Sequence, residues 1–239
     1  STLMRSSAAS DVYKRQETLP KNSKKEVAFF GGTFTGISMK LQEEYLKTTF
    51  EYIKRGDISG IRLSTRPDCI NDEIVTQLKK YGVTAVELGV QSLDEEVLLA
   101  TERYYPVDIV EEACKIIKKY GIELGIQLMV GLPKSSDKSD YETAVKALSM
   151  KPDMVRIYPT LVIKNTKMEK MFLAGEYAPL TMDEAVARVR KIYALVESNN
   201  IKVIRVGLQP SEDLREDGVV LGGPFHPAFR ELVETCLLY

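Results

Sequence analysis

The sequence predicts an α/β fold: a parallel sheet curled into a partial (β/α)6, TIM-like barrel. Three observations carry this. Continuous apolar runs of strand length alternate with amphipathic segments of helix length, which marks a parallel sheet covered by helices. Six such units in about 180 residues suit an incomplete barrel, since a full eight-fold one typically takes ~250 residues. The unusual residues collect where the apolar runs stop, the end at which such sheets carry their working groups. A doubly wound open sheet is the rival arrangement.

The strands read in order are 26–31 (EVAFFG), 60–64 (GIRLS), 84–90 (TAVELGV), 123–130 (ELGIQLMV), 154–159 (MVRIYP) and 201–207 (IKVIRVG). Helical patterns lie between them at 39–55, 71–81, 94–101, 107–120, 138–149 and 181–198. Two of these end in KKYG, Lys79–Gly82 and Lys118–Gly121. Lysine in a last turn complements the helix dipole, and glycine suits the residue beyond it. Ser198-Asn199-Asn200 ends another. The connection from Asp94 to Tyr120 holds two helices, a normal elaboration. Leu208–Gly223 is polar and glycine-bearing and reads as a long loop before a last helix at 226–235.

Composition bounds the function classes. The chain has 239 residues, 44% hydrophobic and 28% charged, which suits one globular domain. Net charge is −1, so no global basic field points to nucleic acid, although a local patch is compatible with it. No apolar stretch approaches the ~18 residues of a membrane helix, and the N-terminus lacks a signal-peptide apolar region. Cys69, Cys114 and Cys236 are odd in number and widely separated, with no C-x-x-C pair. A cytoplasmic protein is the default reading.

The ends read differently from the body. Residues 1–16 (STLMRSSAASDVYKRQ) carry neither strand nor helix periodicity. They resemble translated sequencing adapter, and Cys236–Tyr239 resembles the opposite adapter; a natural flexible tail is the alternative. The expected organisation is a non-native or disordered tail at 1–16, one barrel domain at 17–235, truncated at its N-terminus, and a non-native tail at 236–239.

At the strand ends, Gly31-Gly32-Thr33 is either a simple strand-to-helix turn or a backbone surface that approaches a ligand. It is not a phosphate loop, because GGTFTGI lacks the Lys-Ser/Thr of that motif. Arg66 stands beside Pro67 in a stiff turn, placed either to hold a carboxylate by two parallel bonds or to pair with Asp68 or Asp72. Glu87, Gly89 and Gln91 alternate and share one face, as do Gln127 and Met129. Polar groups on one face of a buried strand need partners, either a core network or a ligand. Arg156, Tyr158, Lys164, Arg205, Gln209 and His226 are candidates to face an anionic substrate, or else ordinary loop and ion-pair residues. His226 is the sole histidine and cannot build a zinc site alone; a helix-start or packing role competes.

Taken in order, FFGGTFTGI, RLSTRPDCI, VELGVQSLDEEVL, ATERYYPVDIVEEA and LMVGLP resemble the radical S-adenosylmethionine (SAM) enzymes, in the branch of the Elongator catalytic subunit and oxygen-independent coproporphyrinogen oxidase. The Elongator-like pattern, TRPD followed by ELGVQS, is the nearer likeness, and it covers roughly 26–235. The resemblance implies a partial (β/α)6 barrel. It also implies a [4Fe-4S] cluster on a C-x3-C-x2-C loop after the first barrel strand, and SAM cleaved by electron transfer to a 5′-deoxyadenosyl radical. An electron donor such as flavodoxin or ferredoxin would serve the intact enzyme, with tRNA or a porphyrinogen-like molecule as substrate.

By matching positions, Gly31, Gly32 and Thr33 would meet the methionyl amine of SAM. Gln91 and Arg103 would contact SAM, the arginine through its carboxylate. Met129, Val130 and Gly131 would run along the adenine. Ser64 stands where relatives often carry a ribose-binding glutamate, and ERYYP (Glu102–Pro106) departs from the family's NRGHT except at Arg103. The large departure is that no C-x3-C-x2-C occurs, and no cysteine precedes Gly31. The expected reading is a truncated radical SAM protein that holds no cluster as written. A sheet without its first strand is expected to aggregate through its open edge. A non-catalytic SAM- or nucleotide-binding barrel that has lost the cluster is the second reading, and a barrel enzyme acting on a phosphorylated metabolite is the third.

Overall fold

A computed structural model describes residues 25–208 and 218–236. The expected tail at 1–16, the expected tail at 236–239 apart from Cys236, and the candidate Gln209 lie outside the described residues. The strands are β1 (Glu26–Phe29), β2 (Gly60–Thr65), β3 (Val83–Gln91), β4 (Glu123–Val130), β5 (Met154–Pro159), β6 (Val162–Ile163), β7 (Lys202–Val206) and β8 (Val220–Gly222). The helices are α1 (Met39–Lys54), α2 (Asp72–Lys80), α3 (Glu95–Ala100), α4 (Val107–Lys119), α5 (Asp137–Ser149), α6 (Lys167–Leu173), α7 (Met182–Ser198) and α8 (Phe229–Thr235).

Six strands form one sheet in the order β1-β2-β3-β4-β5-β7, with every neighbouring pair parallel. The expected α/β partial barrel is therefore the observed fold. Sequential order with a helix after each strand puts the helices on one side, and the sheet curls away from them. On the helix side, Leu63, Val86, Leu88, Leu124, Ile126, Leu128, Val155 and Ile157 pack against Val75, Leu78, Ile117, Ala144, Val189 and Val196 in one buried cluster. Each apolar side chain this size stabilises by about 1.5–3 kcal/mol when fully buried.

Helix starts follow local chemistry. Asn71, Asp94, Ser136 and Thr181 each accept backbone N–H groups of the first turn, satisfying donors that have no partner within the helix. The two KKYG stops behave as expected: Gly82 and Gly121 follow the helix ends with φ of +76° and +63°, a conformation that suits glycine.

The structure corrects several boundaries. The first strand ends at Phe29 rather than 31, because Gly31 turns the chain at φ +95°. The segment read as loop up to Gly223 contains β8, which pairs antiparallel with β6 as a separate two-stranded sheet. Neither of these very short strands, nor α6 at seven residues, is long enough to show a period. The last helix starts at Phe229, not 226.

Candidate functional site

The concave face of the sheet carries a polar layer, built from the strand residues that alternate with the core set. Glu87 on β3 is fully buried and lies at its centre. Arg156, two strands away on β5, grips it through Nε and, at 3.0 Å, through Nη2. Arg62 on β2 reaches it at 3.3 Å, and Gln127 on β4 donates to it at 3.3 Å. Arg62 also meets Glu26 on β1 at 3.5 Å. A carboxylate can reach across an intervening strand only where side chains converge, on the inside of a curl. Gly125 on β4 makes the room: a Cβ there would stand 2.7 Å from Glu87 Cγ. Burial lowers the Arg156 pKa, but the Glu87 hydrogen bonds and charge outweigh it and raise the value overall.

Above this floor, toward the C-terminal ends of the strands, lie the residues singled out by sequence. Gly31 and Gly32 are exposed, and a Cβ on either would meet nothing within 4 Å. Their loop is held from behind: Thr35 N–H donates to Thr65 Oγ1 at 3.3 Å, the two threonine hydroxyls stand 2.5 Å apart, and Gln42 Nε2 donates to the Thr35 and Ile37 carbonyls. Thr33 accepts the Gly36 N–H through its carbonyl and so opens a short 3-10 turn at Phe34–Gly36. Ser64 Oγ sits 3.5 Å from the Gly32 carbonyl.

Gln91 closes β3 at φ +66°, beside a register shift in which Gly89 and Gln91 face consecutive residues Gln127 and Leu128. This is a bulge with a non-glycine residue in a left-handed conformation, a combination concentrated at functional sites. The Gln91 Oε1 atom is buried and has no hydrogen-bond partner among the described residues. Arg103 donates through Nη1 to the Gly89 carbonyl at 2.7 Å and to the Tyr105 hydroxyl at 2.9 Å, so it is tied to the same strand end.

For Arg66 the structure has the second of the two readings, the pair with Asp68. Arg66 makes its two parallel bonds to Asp68, at 2.9 and 2.7 Å, and stacks on Tyr105; the neighbouring carboxylate has the fork. Gly131 offers no free backbone group to a ligand. Its N–H donates to Asp140 at 3.1 Å and its carbonyl accepts from Tyr177 at 2.6 Å. The Val130 carbonyl accepts from Thr160. Of this trio, half-buried Met129 remains on the concave side, paired with Tyr158 in the ladder.

Among the substrate candidates, Arg156 is neutralised by Glu87 and its Nη1 stands 3.4 Å from the Tyr158 hydroxyl. Arg205 faces Arg156 in the β5–β7 register and has no side-chain partner among the described residues. Lys164 is exposed beyond β6. His226 accepts the Ala228 N–H on Nδ1 just before α8, a helix-start role. Sequence reasoning missed Arg62 and Phe30. Arg62 was legible from its two-residue spacing to Ser64. Phe30, whose ring lies under the Arg156 guanidinium at 5.0 Å, joins the site across the curl, which no local pattern shows.

No group of three or more His, Cys, Asp or Glu among the described residues could hold a metal ion. Burial pushes the Cys114 thiol up to about 12 and also raises Cys69. No described helix is long and apolar enough to cross a membrane.

Comparison with known proteins agrees with this geometry. The radical SAM superfamily model matches residues 3–147, and the radical SAM C-terminal domain model matches 152–238. A tRNA uridine(34) acetyltransferase of Methanocaldococcus jannaschii is 31% identical over 184 residues, 69% of this chain and 34% of that protein. Elongator complex protein 3 of Homo sapiens is 28% identical over 193 residues, 72% of this chain and 35% of that protein. The chain thus spans about a third of the length of these relatives. The archaeal Methanocaldococcus infernus Elp3 with an N-terminal deletion (1–46) superposes with a TM-score of 0.82 at 25% identity, covering 95% of this chain and 57% of that one. Coproporphyrinogen III oxidase of Escherichia coli shares the fold, with a TM-score of 0.58 at 16% identity over 79% of this chain and 44% of that one. With its six-stranded curled sheet, and with the superfamily model matching more than half of its length, the chain belongs to the radical SAM superfamily.

Proposed function

We propose that this chain is the SAM-binding barrel of an Elongator-type radical SAM enzyme that modifies tRNA in the cytoplasm. The observation that carries the cofactor reading is the buried Gln91 Oε1 on a strained strand end, which has no donor among the described residues. A buried acceptor left without a partner costs about 1–3 kcal/mol, and the amine of a bound amino acid supplies the missing donor. The open face of Gly31 and Gly32 allows a ligand to reach backbone groups. Arg103 keeps N–H groups for a carboxylate beyond the Nη1 that it commits to Gly89 and Tyr105. Met129 gives an apolar wall. The tRNA reading rests on relatives named as tRNA uridine(34) acetyltransferases. Arg205 is the concave-face cation best placed to meet a phosphate, since Arg62 and Arg156 are both committed to Glu87.

The chemistry that a [4Fe-4S] cluster supplies in this family is electron transfer to SAM, from a donor such as flavodoxin or ferredoxin. The described cysteines do not fit that group: Cys114 is buried in the core, Cys69 is half-buried and Cys236 is exposed, with no ligand cluster among the described residues. No step of radical chemistry is therefore assigned to these residues, and the chain as written is expected to bind SAM without cleaving it. The test is calorimetric titration with S-adenosylhomocysteine, alongside an anaerobic assay for 5′-deoxyadenosine. Saturable binding that weakens at least about tenfold in Gln91→Leu, with no cleavage product, supports the reading. Absence of saturable binding by the unmodified chain, or equal binding by Gln91→Leu, refutes it.

A further inference from the structure

The end of β4 is held by side chains that come from the C-terminal segment. Gly131 turns the chain there at φ +78°, and each of its faces is covered. Its carbonyl accepts the Tyr177 hydroxyl at 2.6 Å. Its N–H donates to Asp140 Oδ2 at 3.1 Å, and the same oxygen accepts from Arg188 Nη1 at 3.0 Å. A Cβ at Gly131 would stand 2.6 Å from Leu180 Cδ1. One residue earlier, the Val130 carbonyl accepts both the N–H and the hydroxyl of Thr160, at 2.9 and 2.8 Å. Asp140 and Tyr177 are 5% and 8% exposed, so water does not compete for these bonds.

Thr160, Tyr177, Leu180 and Arg188 all belong to the segment matched by the C-terminal family model, whereas Val130, Gly131 and Asp140 lie within the segment matched by the superfamily model. The two are joined here by four contacts on Val130 and Gly131, from Thr160 (two), Tyr177 and Leu180, and by Arg188 through Asp140. Immediately before them, Met129 faces the concave side. Moving the turn at Gly131 moves Met129, because one peptide unit separates Met129 from the held Val130 carbonyl.

We propose that Tyr177, Arg188 and Asp140 are positioning residues through which the C-terminal segment sets the end of β4, and hence ligand affinity on the concave face. This rests on the cofactor reading above. Whatever the C-terminal segment binds is then coupled to the cofactor through this clamp, and the coupling is reciprocal. Asp140 is braced from two sides, so losing Arg188 leaves a carboxylate buried without its cation, which is costlier than losing the phenol's single bond.

The experiment titrates S-adenosylhomocysteine into the full chain and into Tyr177→Phe, Arg188→Met, Arg188→Lys and Val196→Ala. Amide hydrogen exchange is followed at Gly131 and Leu132. Tyr177→Phe is expected to raise Kd about fivefold and Arg188→Met about tenfold, with faster exchange at both amides. Arg188→Lys restores most of the affinity. Val196→Ala, a buried change on α7 away from the clamp, lowers Tm but leaves Kd unchanged. Kd within twofold of the unmodified chain in Tyr177→Phe and Arg188→Met overturns the proposal, as does an equal loss in Val196→Ala. If the unmodified chain fails to bind, the cofactor reading falls and the coupling falls with it. Unchanged exchange at both amides refutes the clamp by itself.

Discussion

Replacing Glu87 by glutamine is expected to be among the most damaging isosteric changes in this protein. The carboxylate side chain is 1% exposed, and Arg156 and Arg62, at 16% and 20%, both point at it. The amide keeps the shape and removes the charge. Arg156 loses a two-point ionic grip, and one amide N–H₂ group is turned toward guanidinium donors. Two cations are then left facing one another, with Glu26 the remaining counter-charge at Arg62. Removing one partner of a buried pair typically costs about 3–5 kcal/mol, because the other charge stays buried. That is a large part of a total stability of about 5–15 kcal/mol. For a chain of this size each kcal/mol shifts Tm by roughly 2–4 °C, so the expected fall is about 6–20 °C. The assay is a thermal melt followed by circular dichroism, with urea unfolding to obtain the free energy. A second variant sharpens it: adding Arg156→Met to Glu87→Gln removes one of the two opposed cations and should recover part of the loss. A loss below about 1 kcal/mol for Glu87→Gln, or a double variant less stable than the single one, would refute the buried-network reasoning.

Three further outcomes follow from the same structure. Gly125→Ala places a Cβ 2.7 Å from Glu87 Cγ; the strain is expected to cost about 1–3 kcal/mol, read by urea midpoint, whereas a neutral result would show that Glu87 does not lean over this strand. Burial raises the Asp140 carboxyl above its ordinary value, more than Arg188 and the Gly131 N–H pull it down. A native pKa above the unfolded one means that this group's contribution to stability is complete below about pH 3.9 and is lost as pH rises through the native value. The gap in Tm between Asp140→Asn and the unmodified chain should therefore change over that window, and a pH-independent gap would contradict the shift. Anaerobic treatment with iron and sulfide is expected to give no stable, SAM-responsive cluster spectrum; such a spectrum would show that Cys69, Cys114 and Cys236, or some of them, do ligate iron.

The parallel sheet was legible because continuous apolar strands and capped amphipathic helices are local patterns. Glu87 and Gln127 announced themselves by sharing a strand face with Gln91 and Met129, respectively. Arg66 was ambiguous for a physical reason: one guanidinium fork fits a ligand carboxylate and Asp68 equally well, and distance decided for Asp68. The bonding of the Gly131 backbone was not legible, because its partners Asp140 and Tyr177 lie up to 46 residues away in the chain. Short elements such as β6, β8 and α6 carry too few residues for a period and exist through packing.

What the sequence by itself determined is the alternation of strands and helices, the placement of glycine and polar residues at strand ends, and the absence of a three-cysteine loop. These depend on neighbours within a few residues, or on composition alone. Only the tertiary structure decided which of those polar groups are used up and which stay free. Arg156 is committed to Glu87 two strands away, Gly131 is held by Asp140 and Tyr177, and the Gln91 oxygen has no donor among the described residues. Hydrogen-bond saturation is a property of three-dimensional neighbours, and the curl of the sheet, which brings β1, β3 and β5 side chains together, is what supplies them.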